Sequence, residues 1–63
     1  MPKIRIVVVD DHEVVRHGLR LSLELEPDKD VIGEARTGED ALQIVVDCKP
    51  DVVLLDVRLE GQA

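Results

Sequence analysis

Two short apolar runs, each uninterrupted and each ending in aspartate, constrain the fold of this chain more than any other feature. Ile6-Val7-Val8-Val9 runs into Asp10 and Asp11, and Val52-Val53-Leu54-Leu55 runs into Asp56. β-Branched side chains lose rotamer freedom in helices and pack well on a pleated surface. A run without polar alternation reads as a strand covered on both faces, the pattern of a parallel sheet flanked by helices. Parallel neighbours have their C-terminal ends on one edge, which is where open α/β sheets place their ligands. Asp10, Asp11 and Asp56 are therefore expected to crowd into one crevice. Carboxylates that close repel, and a pKa rises unless a cation sits among them. Mg²⁺, a hard ion that takes oxygen ligands, meets that need.

The sequence between the runs predicts two helices and another strand. Residues 4–9 form the first strand, and Asp11 is expected to cap a helix beginning near His12, with Glu13 in its first turn. Val15, Leu19, Ser22 and Leu23 follow helical spacing and make its sheet-facing stripe, which leaves Arg16, Arg20 and Glu24 on the solvent side. Gly18 weakens a helix, and close packing on the sheet is the expected reason for it. Pro27 and Asp28 turn the chain. Residues 31–36 read as a second strand that mixes Ile32 with Glu34 and Arg36, as an edge strand would. Thr37 followed by Asp40 is a capping-box signature, and Ala41, Leu42, Val45 and Val46 make the second apolar stripe. Lys49 suits the helix C-terminus and Pro50 stops it. Residues 51–55 form the third strand, with Asp51 a turn residue at the edge opposite Asp56. The order is βαβαβ, and right-handed crossovers place the first strand between the other two, giving order 2-1-3. A Val-Val-Leu-Leu strand is a poor natural edge, so the pattern predicts the first half of a larger doubly wound domain or a partner on that edge.

Composition narrows the function. With 63 residues and no Trp, Tyr or Phe, the chain is one small domain at most, with an aliphatic core, and a chain of this length is marginally stable alone. A formal charge of −6 argues against nucleic acid or an anionic membrane as the direct partner, though acidity also serves plain solubility. Cys48 is the only cysteine, which suits a reducing cytoplasm and a structural or exposed thiol. No stretch is long enough for a membrane span or a signal-peptide core, so a cytoplasmic location is expected. No P-loop or G-x-G-x-x-G fingerprint is present, and Asp10-Asp11-His12 misses the Asp-x-Asp of haloacid-dehalogenase-type phosphatases. His12 and His17 read as polar surface. From local sequence alone, Asp10 and Asp11 could equally be a helix cap and a solvated neighbour; Asp56 at the matching edge favours a site.

Three segments carry a resemblance. Ile6-Val7-Val8-Val9-Asp10-Asp11-His12-Glu13-Val14-Val15-Arg16-His17-Gly18-Leu19 is similar to the opening of response-regulator receiver domains of two-component signalling, of the NarL/LuxR type. Val31-Ile32-Gly33-Glu34-Ala35 with Thr37-Gly38-Glu39-Asp40-Ala41-Leu42 continues the likeness, and Pro50-Asp51-Val52-Val53-Leu54-Leu55-Asp56-Val57-Arg58-Leu59 completes it. The resemblance covers nearly all of the chain. It implies that residues 1–63 form the N-terminal βαβαβ half of a flavodoxin-like (CheY-like) doubly wound sheet, with the fourth and fifth strands and later helices past Ala63.

The resemblance also implies roles. Asp56 matches the aspartate that accepts a phosphoryl group from a sensor histidine kinase. Asp11 matches a direct Mg²⁺ ligand, Asp10 a carboxylate that holds the ion largely through water, and the backbone carbonyl of Arg58 a further ligand, with Asp56 completing the metal set. Two departures matter. Glu60 stands where the family usually has Pro, and the family's switch Ser or Thr and its phosphoryl-pairing Lys fall past Ala63. Lys3 and Lys49 precede their strands, Lys29 is expected in a turn, and Arg58 alone is basic near Asp56. The leading expectation is a phosphoacceptor module, not an enzyme, of a transcriptional regulator whose DNA-binding domain lies elsewhere in the parent, with the 63 residues alone phosphorylated slowly. The alternative is a non-phosphorylated interaction module that self-associates through its open sheet edge. A small metal-dependent phosphotransferase is a weaker third reading, since no general base or second nucleophile is evident.

Overall fold

The central strand is the most buried one. In the computed structural model, which describes residues 2–55, β1 (Ile4–Val9) lies between β2 (Lys29–Ala35) and β3 (Val52–Leu55), all parallel, in the order β2-β1-β3. This is the expected order. The two crossovers are made by α1 (Glu13–Glu24) and α2 (Gly38–Cys48), and the order is the one right-handed crossovers predict. Val7 and Val8 have no exposed surface and Ile6 and Val9 almost none. Each such Val contributes about 1.5–3 kcal/mol by leaving water.

The two helices take opposite faces. Val7, Val9, Ala35 and Ala41 form one buried cluster, with Ile32 and Ile44 packed against it, so α2 covers that face. Side chains alternate along a strand, so Glu34, between Gly33 and Ala35, points the other way and meets Arg16 and Arg20 of α1. The β1–β2 register shifts between Ile6 and Val7, leaving Ile32 as an extra residue in β2. A Cβ on the next residue, Gly33, would lie 3.0 Å from Ile44 Cγ2, so the absence of a side chain lets α2 approach.

Several local expectations need correction. Gly18 has nothing within 4 Å of where a Cβ would stand, so close packing does not explain it. On α1, Val15, Leu19 and Leu23 are half-buried, whereas Ser22 is exposed. Arg16 is not on the solvent side: its side chain is only 13% exposed. On α2, Leu42 and Val46 are exposed and Ile44 packs in their place. Two apolar stripes one residue apart were available there, and the sheet took the one carrying Ile44. Strand β2 begins two residues earlier than expected and ends at Ala35, and β3 begins at Val52. Thr37 caps α2 as expected, its Oγ1 accepting the Asp40 N–H at 3.2 Å. Lys49 closes the helix in the left-handed region at φ 49°.

Candidate functional site

The site grows from the C-terminal end of β1. The Asp10 N–H donates to Ala35 O at 3.0 Å, the last rung joining β1 to β2. Asp10 is 3% exposed, the one buried charged residue among those described. Its Oδ1 accepts the His12 N–H at 2.8 Å, a side-chain turn that redirects the chain into α1. The N-cap is therefore His12, with extended backbone and no side-chain cap bond; Asp11 does not fill that role. Asp11 instead projects outward, its side chain 72% exposed. His12 Nδ1 lies 2.7 Å from Asp11 Oδ1 and 3.3 Å from Asp10 Oδ1. His12 thus belongs to the acidic cluster, which corrects its reading as polar surface, whereas His17 is exposed as expected.

Strand pairing determines what stands beside this cluster. Val9 is partnered with Leu55 in the parallel β1–β3 ladder. Asp10 follows one of these residues in the chain and Asp56 follows the other. Asp56, Arg58 and Glu60 themselves lie outside the described residues. Asp51 is at the opposite end, as expected: its Oδ2 accepts the Arg5 N–H and its N–H donates to Arg5 O, both at 2.8 Å. Lys49 is at that end too, its carbonyl accepting from Arg5 Nη1. Lys29 is the first residue of β2, not a turn residue, and pairs with Ile4 far from the acidic cluster.

A charged frame beside the cluster was not anticipated from sequence. Arg16 Nε donates to Glu34 Oε1 at 3.0 Å and its Nη1 to Asp10 O at 2.9 Å. Arg20 Nη1 donates to Glu34 Oε2 at 2.7 Å and its Nε to Glu24 Oε2 at 3.3 Å. Partial burial pushes the Glu34 carboxyl up, but the hydrogen bonds and charges of Arg20 and Arg16 outweigh it, and the net shift is downward. Arg20 is shifted upward, mainly by its hydrogen bond to Glu34. The signal for this frame was present in the sequence. Arginines four apart share a helix face, and a glutamate inside a strand needs a partner.

Asp10, Asp11 and His12 each bring a ligand-capable atom to within 4.8 Å of the others. The two carboxylates are hard oxygen donors, one buried and one open to solvent, and that donor set fits Mg²⁺. Cys48, a half-buried free thiol, lies on α2 and is not part of this cluster.

The parallel sheet with helices on both faces and acidic residues at the exit of its central strand is a doubly wound α/β arrangement. Residues 6–63 match the family model described as the response regulator receiver domain, and the chain belongs to that family. It is 48% identical over 58 residues to the transcriptional regulatory protein LiaR of Bacillus subtilis, which covers 92% of this chain and 28% of that protein. It is 45% identical over 58 residues to the response regulator GacA of Pseudomonas aeruginosa, covering 92% and 27%. The signal receiver domain of the putative response regulator NarL from Mycobacterium tuberculosis superposes with a TM-score of 0.87 at 43% identity, over 97% of this chain and 49% of that one. The chain thus spans about a quarter of the curated relatives it matches. The resemblance read from the sequence is borne out. Among the described residues no helix is long and apolar enough to cross a membrane.

Proposed function

We propose that this chain is the phosphoacceptor part of a two-component response regulator. In the cytoplasm it takes a phosphoryl group from a sensor histidine kinase onto Asp56 and thereby controls the DNA-binding output of a transcriptional regulator. The observation that carries the reading is the Val9–Leu55 pairing, which leads the chain into Asp10 from one strand and Asp56 from its neighbour. An Asp56 carboxylate oxygen attacks phosphorus, the P–N bond of the kinase phosphohistidine breaks, and the imidazole leaves with the bonding pair. Asp10, Asp11, Asp56 and the Arg58 carbonyl would hold Mg²⁺, which would offset negative charge on the acceptor and the incoming phosphoryl oxygens. Buried Asp10 is fixed by the His12 N–H, while exposed Asp11 is open to an incoming ion. The chemistry is modification of one side chain and its reversal, not turnover of a substrate.

The test is incubation with an acyl-phosphate donor and Mg²⁺, read by mass spectrometry. One phosphoryl increment is expected on the wild type and none on Asp56→Asn. An increment that persists in Asp56→Asn overturns the acceptor assignment. Asp11→Asn is expected to abolish the Mg²⁺ dependence of labelling.

One observation favours a second reading, an assembly module without phosphorylation. All four β3 residues are exposed, Val52 at 42%, Val53 at 38%, Leu54 at 37% and Leu55 at 58%. Such a strand pairs readily with another chain, a second copy included.

A further inference from the structure

The backbone of Asp10 is held on both sides of its Cα. On the N-terminal side the Asp10 N–H is bonded to Ala35 O. In a parallel ladder, a residue that donates to one position of its neighbour directs its carbonyl at the position two further along. For Asp10 that position is residue 37. Strand β2 has ended at Ala35, and Thr37 is already the N-cap of α2. The rung that β2 no longer supplies is made by Arg16, whose Nη1 donates to Asp10 O at 2.9 Å. The same guanidinium is anchored by Nε to Glu34 Oε1 at 3.0 Å. Its side chain is 13% exposed and that of Glu34 23%, so the fork is held in a partly desolvated place, where its geometry is more constrained than in a surface pair.

We propose that Arg16 is a positioning residue for the acidic site: by fixing the Asp10 carbonyl it sets the spacing of the Asp10 and Asp11 carboxylates. The Asp10 nitrogen and oxygen lie on either side of its Cα, so holding both restrains the ψ angle of Asp10; because the following peptide unit is planar, that fixes the direction in which Asp11 leaves the strand. Glu34 keeps Arg16 in place, and Arg20 shares Glu34 without touching Asp10. The inference rests on the reading of Asp10 and Asp11 as metal-holding residues. Groups that orient metal ligands are typically worth about 10–100-fold in metal affinity, and the lower figure suits a group acting through one peptide.

The experiment is a titration of Mn²⁺, a hard ion observable by electron paramagnetic resonance, into the full chain, with the Asp10 carbonyl ¹³C shift measured without metal. Arg16→Met is expected to weaken Mn²⁺ binding about tenfold and to move the Asp10 carbonyl shift upfield. Arg20→Met removes a bond to Glu34 that is shorter than that of Arg16 and is expected to change neither reading appreciably. Arg16→Lys keeps the charge and a donor; it covers the case in which Arg16→Met does not fold, and is expected to recover part of both signals. Equal weakening by Arg16→Met and Arg20→Met would reduce Arg16 to a structural role and overturn the proposal, as would wild-type affinity in Arg16→Met. Asp11→Asn separates this from the underlying reading. If Mn²⁺ binds Asp11→Asn as tightly as wild type, the metal site is misassigned and the positioning role falls with it. Loss in Asp11→Asn without loss in Arg16→Met overturns the positioning role alone.

Discussion

Glu34 sits in a strand, opposite fully buried Val8, and remains ionised there because Arg16 and Arg20 reach it from α1. Its carboxyl is held below the usual glutamate range despite partial burial. A carboxyl whose folded pKa is depressed contributes stability above its unfolded pKa of about 4.3, and that contribution is lost as the pH falls through the folded value. Glu34→Gln is therefore expected to destabilise the chain at pH 7, with the gap to wild type closing as the pH falls below the ordinary glutamate range. Urea midpoints of both proteins across that range check this; a constant gap would assign the loss to packing instead. At this scale the sequence was only partly legible. The strand exit at Asp10 could be read from the unbroken apolar run that ends there. The side-chain turn from Asp10 to the His12 N–H could not, because Asp10 and Asp11 are adjacent and chemically identical, and only the backbone direction decides which one turns inward.

At the scale of elements, two glycines separate what propensity determines from what packing determines. Gly18 lies inside α1 with open space where a Cβ would stand. Gly18→Ala is expected to stabilise the chain by about 0.5–1 kcal/mol, the ordinary helix preference of Ala over Gly. Gly33 is the opposite case, because its Cβ would meet Ile44 Cγ2 at 3.0 Å and Val7 Cγ2 at 3.8 Å. Gly33→Ala is expected to cost about 1–3 kcal/mol by overpacking. Thermal melts of the two variants should move in opposite directions; a raised midpoint for Gly33→Ala would show that Ile44 yields freely. Sequence reasoning placed close packing at Gly18 because a helix glycine invites an explanation. The tight approach lies instead at Gly33, next to the extra residue in β2, and a register shift of that kind leaves no composition signal. The stripe of α2 held at Ala41 and Val45 but missed at Leu42 and Val46 for a related reason: these compete with Ile44 at nearly equal spacing, and only the position of the sheet decides between them.

For the whole molecule, strand order and core location were legible, because crossover handedness and the unbroken β1 run leave few alternatives. What meets β3 was not legible beyond the expectation that something should. Among the described residues β3 is a terminal strand of the sheet, and Val15 and Leu19 of α1 line an open groove of about 350 Å³ with Leu54 and Leu55. Apolar surface and strand-edge hydrogen-bonding groups in one place favour association, and a chain of this length gains more from a partner than a larger one does. The 63-residue chain is expected to show a sedimentation coefficient that rises with concentration. Leu54→Lys places a charge in the groove, a device that natural edge strands use against pairing. It is expected to abolish that rise and to lower binding of a hydrophobic dye, while the far-UV circular dichroism is retained. The acidic cluster at the β1 exit and the apolar groove respond to different changes, so the same variant should leave intact the Mn²⁺ binding proposed for Asp11. A wild-type chain that sediments as a monomer at every concentration and melts in one sharp transition would show that three strands and two helices suffice without a partner on β3.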